Sequence, residues 1–305
     1  KAPISIMDMA GIDFSRKIED GEVVQGDDEG SQKWEAFMNQ LTWEEMASLV
    51  NNGGGVKAID AVDVVGAGAN ETPLQLSGGT LSACPPILAA TFNLDLAEEV
   101  GVMMGNEALF KGCSYYSQDG VHGGKFAAAV VAGVTSKGVT CHIKHMVLND
   151  QESYRDLNGG VSTWATEQVI REIYAKPFEY ALKVGRSTGV MSSFNRIGTR
   201  WTGGDYRLLT QILRNEWGFQ GMVITDFNTT SYMNLRQMAY AGGDLNLGND
   251  MTLPDVIQPN WCDASDPVDM QILRQCVKNI LYTVVNSNAM NISVAYYRPA
   301  WWKIT

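Results

Sequence analysis

The chain has 305 residues, 45% of them hydrophobic and only 19% charged, which supplies a large core and excludes a disordered type. A net charge of −11 and a pI near 4.8 argue against nucleic acid or an anionic lipid surface as a partner, since both demand a basic face. No uninterrupted apolar stretch is long enough to span a membrane, and no Cys/His spacing suits a metal. The five cysteines are scattered and odd in number, against a disulfide framework or a structural zinc. Cys84, Cys141 and Cys276 read as small buried hydrophobes. The eight Trp and eleven Tyr suit sugar stacking, though ordinary packing accounts for most of them.

Residues 1–31 are polar and acidic and read as a loose arm or linker. The chain starts at Lys1 without a signal-peptide pattern, so a leader, if one exists, is already removed; cytoplasmic and secreted locations both stay open. Thr42 and Glu45 have the spacing of a capping box and predict a helix start. Residues 51–83 are rich in Gly and small residues and resist assignment. Helices are expected over Leu96–Phe110, Gly120–Ser136, Thr163–Val184 (with a kink or break at Pro177), Tyr206–Glu216, Gln237–Ala241 and Asp269–Ser287. Strands are expected over Val139–Ile143, ending at Lys144-His145, over Thr188–Ser193, over the run ending at Asp226, and over Asp244–Leu247. Asp205 and Glu216 flank a helix and read as exposed, Asp244 as structural, His122 as a loop residue. Tyr296, Tyr297, Trp301 and Trp302 make the tail aromatic.

Short apolar strands alternating with helices predict a parallel sheet with crossover helices, and polar residues at the strand ends favour an α/β (β/α)8-like barrel of TIM type over an open sheet. The barrel is assigned to 32–292, the tail to 293–305. No G-x-G-x-x-G follows a strand and no Walker-type loop occurs, so no cofactor is expected.

The most informative run is Gly221–Phe227, where GMVI ends in Thr225-Asp226. A carboxylate at the C-terminal end of a buried strand sits at the mouth of such a barrel. A cap for the following turn is the even-odds alternative. Lys144-His145 and Ser192–Arg196 are the other polar strand ends, and together they suit a polyhydroxylated ligand. Asp150, Glu152, Arg155 and Asp156 form a charged loop. The simpler reading is a solvated loop with local ion pairs; the functional one places Arg155 at the pocket rim.

Lys144-His145 followed by Asn149–Glu152 resembles the KH segment of glycoside hydrolase family 3. Arg171–Glu179 resembles the family's REIYL-PFE helix, and Val190–Ile197 its VMSSYNRI strand and loop. Leu213–Gly221 resembles its LR-EWGF-G segment, and Val223–Asp226 its nucleophile strand. The closing run Ile280–Asn291 is similar to the end of the barrel in a subgroup whose sandwich domains precede it. The resemblance implies a barrel that hydrolyses β-glucosides or related β-glycosides with retention. Asp226 would be the nucleophile. Lys144 and His145 would hold sugar hydroxyls, with Arg155, Met191, Phe194, Phe227 and Asp63 completing the substrate site. Phe194 stands where many members have Tyr, and Phe227 where many have Trp or Tyr.

Three departures accompany the resemblance. In Asp63–Gly68, the nearest match to the DGPAG-type segment, Val65 occupies the place of the sugar-binding Asp. The Arg-bearing segment before the YYSED motif is missing, Gln118 replaces Glu, and one strand-loop unit of the barrel is expected to be lacking or altered. The acid/base, carried by a second domain in most members, has no counterpart here, so another domain or chain would supply it. The alternative to a β-glucosidase-like barrel is a catalytically silent or engineered one that binds sugar or acts structurally.

Overall fold

A computed structural model describes residues 3–19, 22–26, 28–51, 55–68, 80–108, 113–116, 120–156, 159–228, 232–248 and 261–291. A hairpin of β1 (Arg16–Glu19) and β2 (Glu22–Gln25) leads into α1 (Glu29–Met38) and α2 (Trp43–Val50). A short antiparallel pair, β3 (Gly55–Val56) and β4 (Ala67–Gly68), follows. Next come α3 (Pro85–Ala90), α4 (Leu94–Ala108), β5 (Cys113–Tyr116), α5 (Val121–Thr135), β6 (Cys141–Met146) and β7 (Ser162–Thr163). Then α6 (Glu167–Val169) runs through a π-wound turn (Ile170–Tyr174) into α7 (Lys176–Lys183). The remainder is β8 (Gly189–Ser192), β9 (Arg196–Ile197), β10 (Arg200–Trp201), a π-wound helix (Arg207–Glu216), β11 (Met222–Ile224), α8 (Leu235–Ala241) and α9 (Pro267–Val285).

The main sheet has four strands in the order β11-β8-β6-β5, all parallel. Strand order in space follows chain order, with a helix between successive strands, which is how a barrel wall is wound. Leu245 adds a parallel bridge to Ile224, and the Asn246 N–H donates to Val50 O at 2.8 Å, tying this edge to the end of α2. Among the described residues the ladder does not close on itself: it is a four-stranded parallel sheet extended by the Leu245 bridge.

Register decides the two faces. Val223 pairs with Val190 and Ile143 with Val190, and all three face a cluster with Phe126, Val130 and Val134 of α5 and Phe178 of α7. Met191, Met222 and Ile224 point the other way, into a cluster with Trp34 of α1, Leu49 of α2, and Leu273 and Ile280 of α9. The helices α4 and α5 touch through glycines: a Cβ on Gly101 would run into the Val130 carbonyl, and one on Gly133 into the Glu98 carbonyl.

Local signals hold where chemistry is local. Thr42 Oγ1 accepts the Glu45 N–H at 3.2 Å and Glu45 Oε2 the Thr42 N–H at 2.8 Å, the expected reciprocal cap. Other expectations are corrected. Thr163 lies in β7 opposite Ile197, and the helix expected from it starts after Thr166, whose hydroxyl accepts the Val169 N–H. The expected break at Pro177 does occur: the π-wound turn ends at Tyr174 and Pro177 falls in the first turn of α7, where its missing N–H needs no partner. Asp205, expected exposed, is 2% exposed because its carboxylate receives the Arg207 N–H and guanidinium at the helix start. His122 lies in the first turn of α5, its ring against Ala89 O at 2.9 Å. Only Leu245 of the stretch 244–247 makes a ladder contact, the bridge to Ile224. Cys84 is half-buried, while Cys141 and Cys276 are buried as expected.

The segment 1–31, read as a loose arm, is anchored where it is described. Ile6, Met9 and Phe14 are buried, and Phe14 makes edge-on contacts with Trp34 and Tyr282 at 5.9 and 5.6 Å. Its acidic composition hid three apolar anchors. Residues 293–305, the aromatic tail, lie outside the described residues.

Asp244 is structural, as read. Oδ2 takes the Arg214 guanidinium at 2.5 Å and the Val223 N–H at 2.7 Å, and Oδ1 the Asn279 amide at 2.7 Å. Arg214 also donates to the carbonyls of Gly242 and Gly221. Removing one partner of a buried pair strands the other charge. Asp244→Ala is expected to cost about 3–5 kcal/mol, and Gly101→Ala about 1–3 kcal/mol by overpacking. Urea denaturation of both variants checks this, and an unchanged midpoint in either would show that its contact contributes nothing.

Candidate active site

Three parallel strands deliver the polar ends of β6, β8 and β11 to one end of the sheet. The chain past β11 is pinned on the neighbouring segment: Thr225 donates its N–H to Leu245 O and accepts the Leu247 N–H on its hydroxyl, both at 2.9 Å. Asn228 donates its N–H to Leu247 O at 2.9 Å and its amide to Asn246 Oδ1 at 2.8 Å. Between these anchors sits Asp226, 6% exposed. It caps no helix, since the cap of α8 is Asn234. Its Oδ1 accepts the Phe227 N–H at 2.8 Å, while Oδ2 faces His145 Nε2 at 3.2 Å and Arg155 Nη1 at 3.6 Å.

Lys144 and His145 lie inside β6, which runs to Met146, one residue past the expected end. Both are buried. The Lys144–His145 and Met146–Val147 peptide bonds are cis. Beyond the strand the chain turns back through Leu148 and Tyr154, each in the left-handed region at φ 66 and 61. A non-glycine residue costs about 1–2 kcal/mol there, and such residues collect at functional sites. The turn returns Arg155 to the strand ends, where its guanidinium lies over the Phe194 ring at 4.9 Å from the centroid. Arg155 is therefore more than a solvated rim residue, although its Nε still pairs with Glu152 at 3.0 Å.

Sequence reasoning named most of this cluster. The structure joins Asp226, His145, Arg155 and Phe194 directly, and Lys144 adjoins His145 on the strand. Met191 lies in register with Ile224, two residues before Asp226. Phe227 follows Asp226 and is 39% exposed. Asp63 is not brought in. It is exposed on a left-handed turn between Ile59 and Val64, and among the described residues no contact joins it to the cluster. Asn149 and Glu152 were not singled out as site residues. Asn149 Nδ2 lies 3.2 Å from His145 Nδ1 and 2.9 Å from Glu152 Oε1. Their i, i+3 spacing in a loop directly after Lys144-His145 is the signal that could have found them.

Burial dominates the electrostatics of the two strand histidines. It pulls the His145 pKa down to about 2, helped by the charges of Lys144 and Arg155, so the ring is neutral. His142, on the same strand, is pulled down to about 4 by burial alone, and its Nε2 has no hydrogen-bond partner among the described residues. No group of three or more His, Cys, Asp or Glu that could hold a metal occurs among the described residues. No helix among them is long and apolar enough to cross a membrane.

Residues 111–291 match the family model described as glycosyl hydrolase family 3 N terminal domain. The chain belongs to glycosyl hydrolase family 3. It is 34% identical over 224 residues to a beta-glucosidase of Rhizobium radiobacter, covering 63% of this chain and 27% of the relative. It is 32% identical over 254 residues to beta-glucosidase A of Butyrivibrio fibrisolvens, covering 70% of this chain and 29% of that protein. Among solved structures, beta-glucosidase 3B of Thermotoga neapolitana in complex with glucose superposes with a TM-score of 0.73 at 26% identity, over 88% of this chain and 44% of that one. These likenesses define a TIM-barrel-like domain. The chain spans under a third of the length of the curated relatives named here.

The two depressed histidines set a pH dependence. Unfolded, each takes up a proton below its ordinary value of 6.5; folded, each refuses it until about 4 or about 2. Their stabilisation is therefore complete above 6.5 and lost as pH falls, at about 1.4 kcal/mol per pH unit for each. In urea titrations between about pH 6 and 4.5, His142→Leu is expected to remove about 1.4 kcal/mol per unit from the parent slope. An unchanged slope would show that the His142 ring protonates freely in the fold.

Proposed function

We propose that the chain is the barrel part of a retaining β-glycosidase of β-glucosidase type, in which Asp226 attacks the anomeric carbon of a terminal β-linked sugar. The observation that carries this is the buried Asp226 carboxylate at the end of β11, with His145 Nε2 at 3.2 Å and Arg155 Nη1 at 3.6 Å from one oxygen. The beta-glucosidase relatives, and the glucose in the Thermotoga neapolitana structure, support this substrate class. Lys144, His145 and Arg155 then hold the sugar hydroxyls and the carboxylate together. Met191, Phe194 and Phe227 supply apolar walls. No cofactor takes part in this chemistry.

Retention needs a second carboxyl group about 5–5.5 Å from the nucleophile, which protonates the leaving oxygen and later activates water. In this proposal another domain or a partner chain provides it. The barrel is taken as 32–292, with one strand-loop unit lacking or altered relative to the usual ring. Without the acid, natural glycosides turn over about 10²–10⁴-fold more slowly. Substrates with good leaving groups need no protonation in the first step. The exposed position of Asp63 favours a second reading, a silent sugar-binding barrel.

A 2-deoxy-2-fluoro-β-glucoside with a dinitrophenolate leaving group separates the two. Attack by a carboxylate oxygen of Asp226 forms the ester bond to C1 as dinitrophenolate departs, and the fluorine slows hydrolysis of the ester. One added fluorosugar by intact mass, mapped to Asp226 and lost in Asp226→Asn, is expected. Folded protein that takes no label from a panel of such sugars would make the silent barrel the correct reading.

A further inference from the structure

We propose that Asn149 and Glu152 are positioning residues, a two-residue bridge that fixes the His145 ring and the Arg155 guanidinium on the Asp226 carboxylate. The inference rests on the reading of Asp226 as the nucleophile for its catalytic consequence, but its geometry stands independently. The atom of Asn149 that lies 2.9 Å from Glu152 Oε1 must be a donor, because an ionised carboxylate only accepts. It is therefore the amide nitrogen, whose second hydrogen is available to His145 Nδ1, 3.2 Å away. A ring nitrogen that accepts carries no proton, so the single proton of the neutral ring sits on Nε2. Nε2 is the ring nitrogen nearest Asp226 Oδ2, 3.2 Å away though without a formed hydrogen bond between them. The other oxygen of Glu152, Oε2, receives Arg155 Nε at 3.0 Å. With the guanidinium stacked on Phe194, this leaves Nη1 as the end turned to Asp226 Oδ2.

One carboxylate thus anchors both groups that face the nucleophile, one through Asn149 and one directly. Neither bridging residue touches Asp226 in the contacts described, so the effect is orientation. Burial, together with the charges of Lys144 and Arg155, keeps the ring neutral, so which nitrogen bears the proton is decided by hydrogen bonding alone. The other tautomer would put a lone pair, in place of the N–H, on the ring nitrogen nearest that carboxylate.

Nitrogen-15 NMR of the imidazole rings tests the bridge directly, since the full chain contains only three histidines. The His145 signals are those missing in His145→Gln. The expected parent spectrum shows Nε2 protonated and Nδ1 bare, and Asn149→Ala is expected to mix the two tautomers. Labelling by the fluoroglucoside is expected to slow about 10–100-fold in Asn149→Ala, in line with groups that orient a reacting shell. Glu152→Gln, whose half-exposed side chain makes misfolding a small concern, is expected to slow labelling by about tenfold with an unchanged thermal midpoint. A parent ring protonated on Nδ1, or labelling at the parent rate in both folded variants, would overturn the bridge. If the parent takes no label while its ring is protonated on Nε2 and Asn149→Ala mixes the tautomers, the bridge stands and the nucleophile assignment falls.

Discussion

The parallel pairing of β6, β8 and β11 is the constraint on which the rest depends. Parallel strands point their C-terminal ends the same way, and their register fixes which residues lie level. With Val190 opposite both Ile143 and Val223, the apolar outer face is set for α5 and α7. The same register brings Lys144-His145, Ser192–Phe194 and Thr225-Asp226 to one rim, from segments up to 82 residues apart. A slip of one residue in any strand would turn its outer valine inward and move its polar end off the rim.

Two buried aspartates, 18 positions apart, show how surroundings assign roles. Asp244 is saturated: its oxygens receive a guanidinium, a backbone N–H and an amide, and it locks the π-wound helix, β11 and α9 together. Asp226 stands at the end of β11 beside two groups from the loop and strand of β6. The two groups facing its Oδ2 stand at 3.2 and 3.6 Å. A carboxylate with short, fully formed bonds is a poor nucleophile and a good brace.

The loop after β6 combines rigidity with access. Left-handed Leu148 and Tyr154 fold it back, and Leu148 is buried, so the turn is held by packing. Arg155 is fixed by the Phe194 face and Glu152, while the Glu152 side chain remains 58% exposed. Functional groups on a short loop clamped to a scaffold can be placed accurately without being entombed.

Much of this was legible in the sequence because it depends on neighbours in the chain. The Thr42–Glu45 cap, the apolar runs of β8 and β11, the helices on either side and the carboxylate that ends GMVI are local signals. The family motifs around Lys144-His145 and Asp226 were legible for the same reason. Other features depend on what meets what. The acidic arm conceals Ile6, Met9 and Phe14, whose anchoring needs the Trp34 and Tyr282 faces. Asp205 looks like a surface residue until the fold around Thr202 and the helix start closes over it. Asp63 lies near a motif in sequence but on a turn away from the cluster. Asn149 and Glu152 read as ordinary loop residues, because their partners are a histidine on the preceding strand and an arginine brought back by two left-handed residues. The sequence by itself determined the alternating elements and the chemistry available at the strand ends. Only the tertiary structure decided which polar groups share one end of the sheet, because hydrogen bonds and ion pairs act over about 3–4 Å, and that proximity is created by strand register and loop geometry.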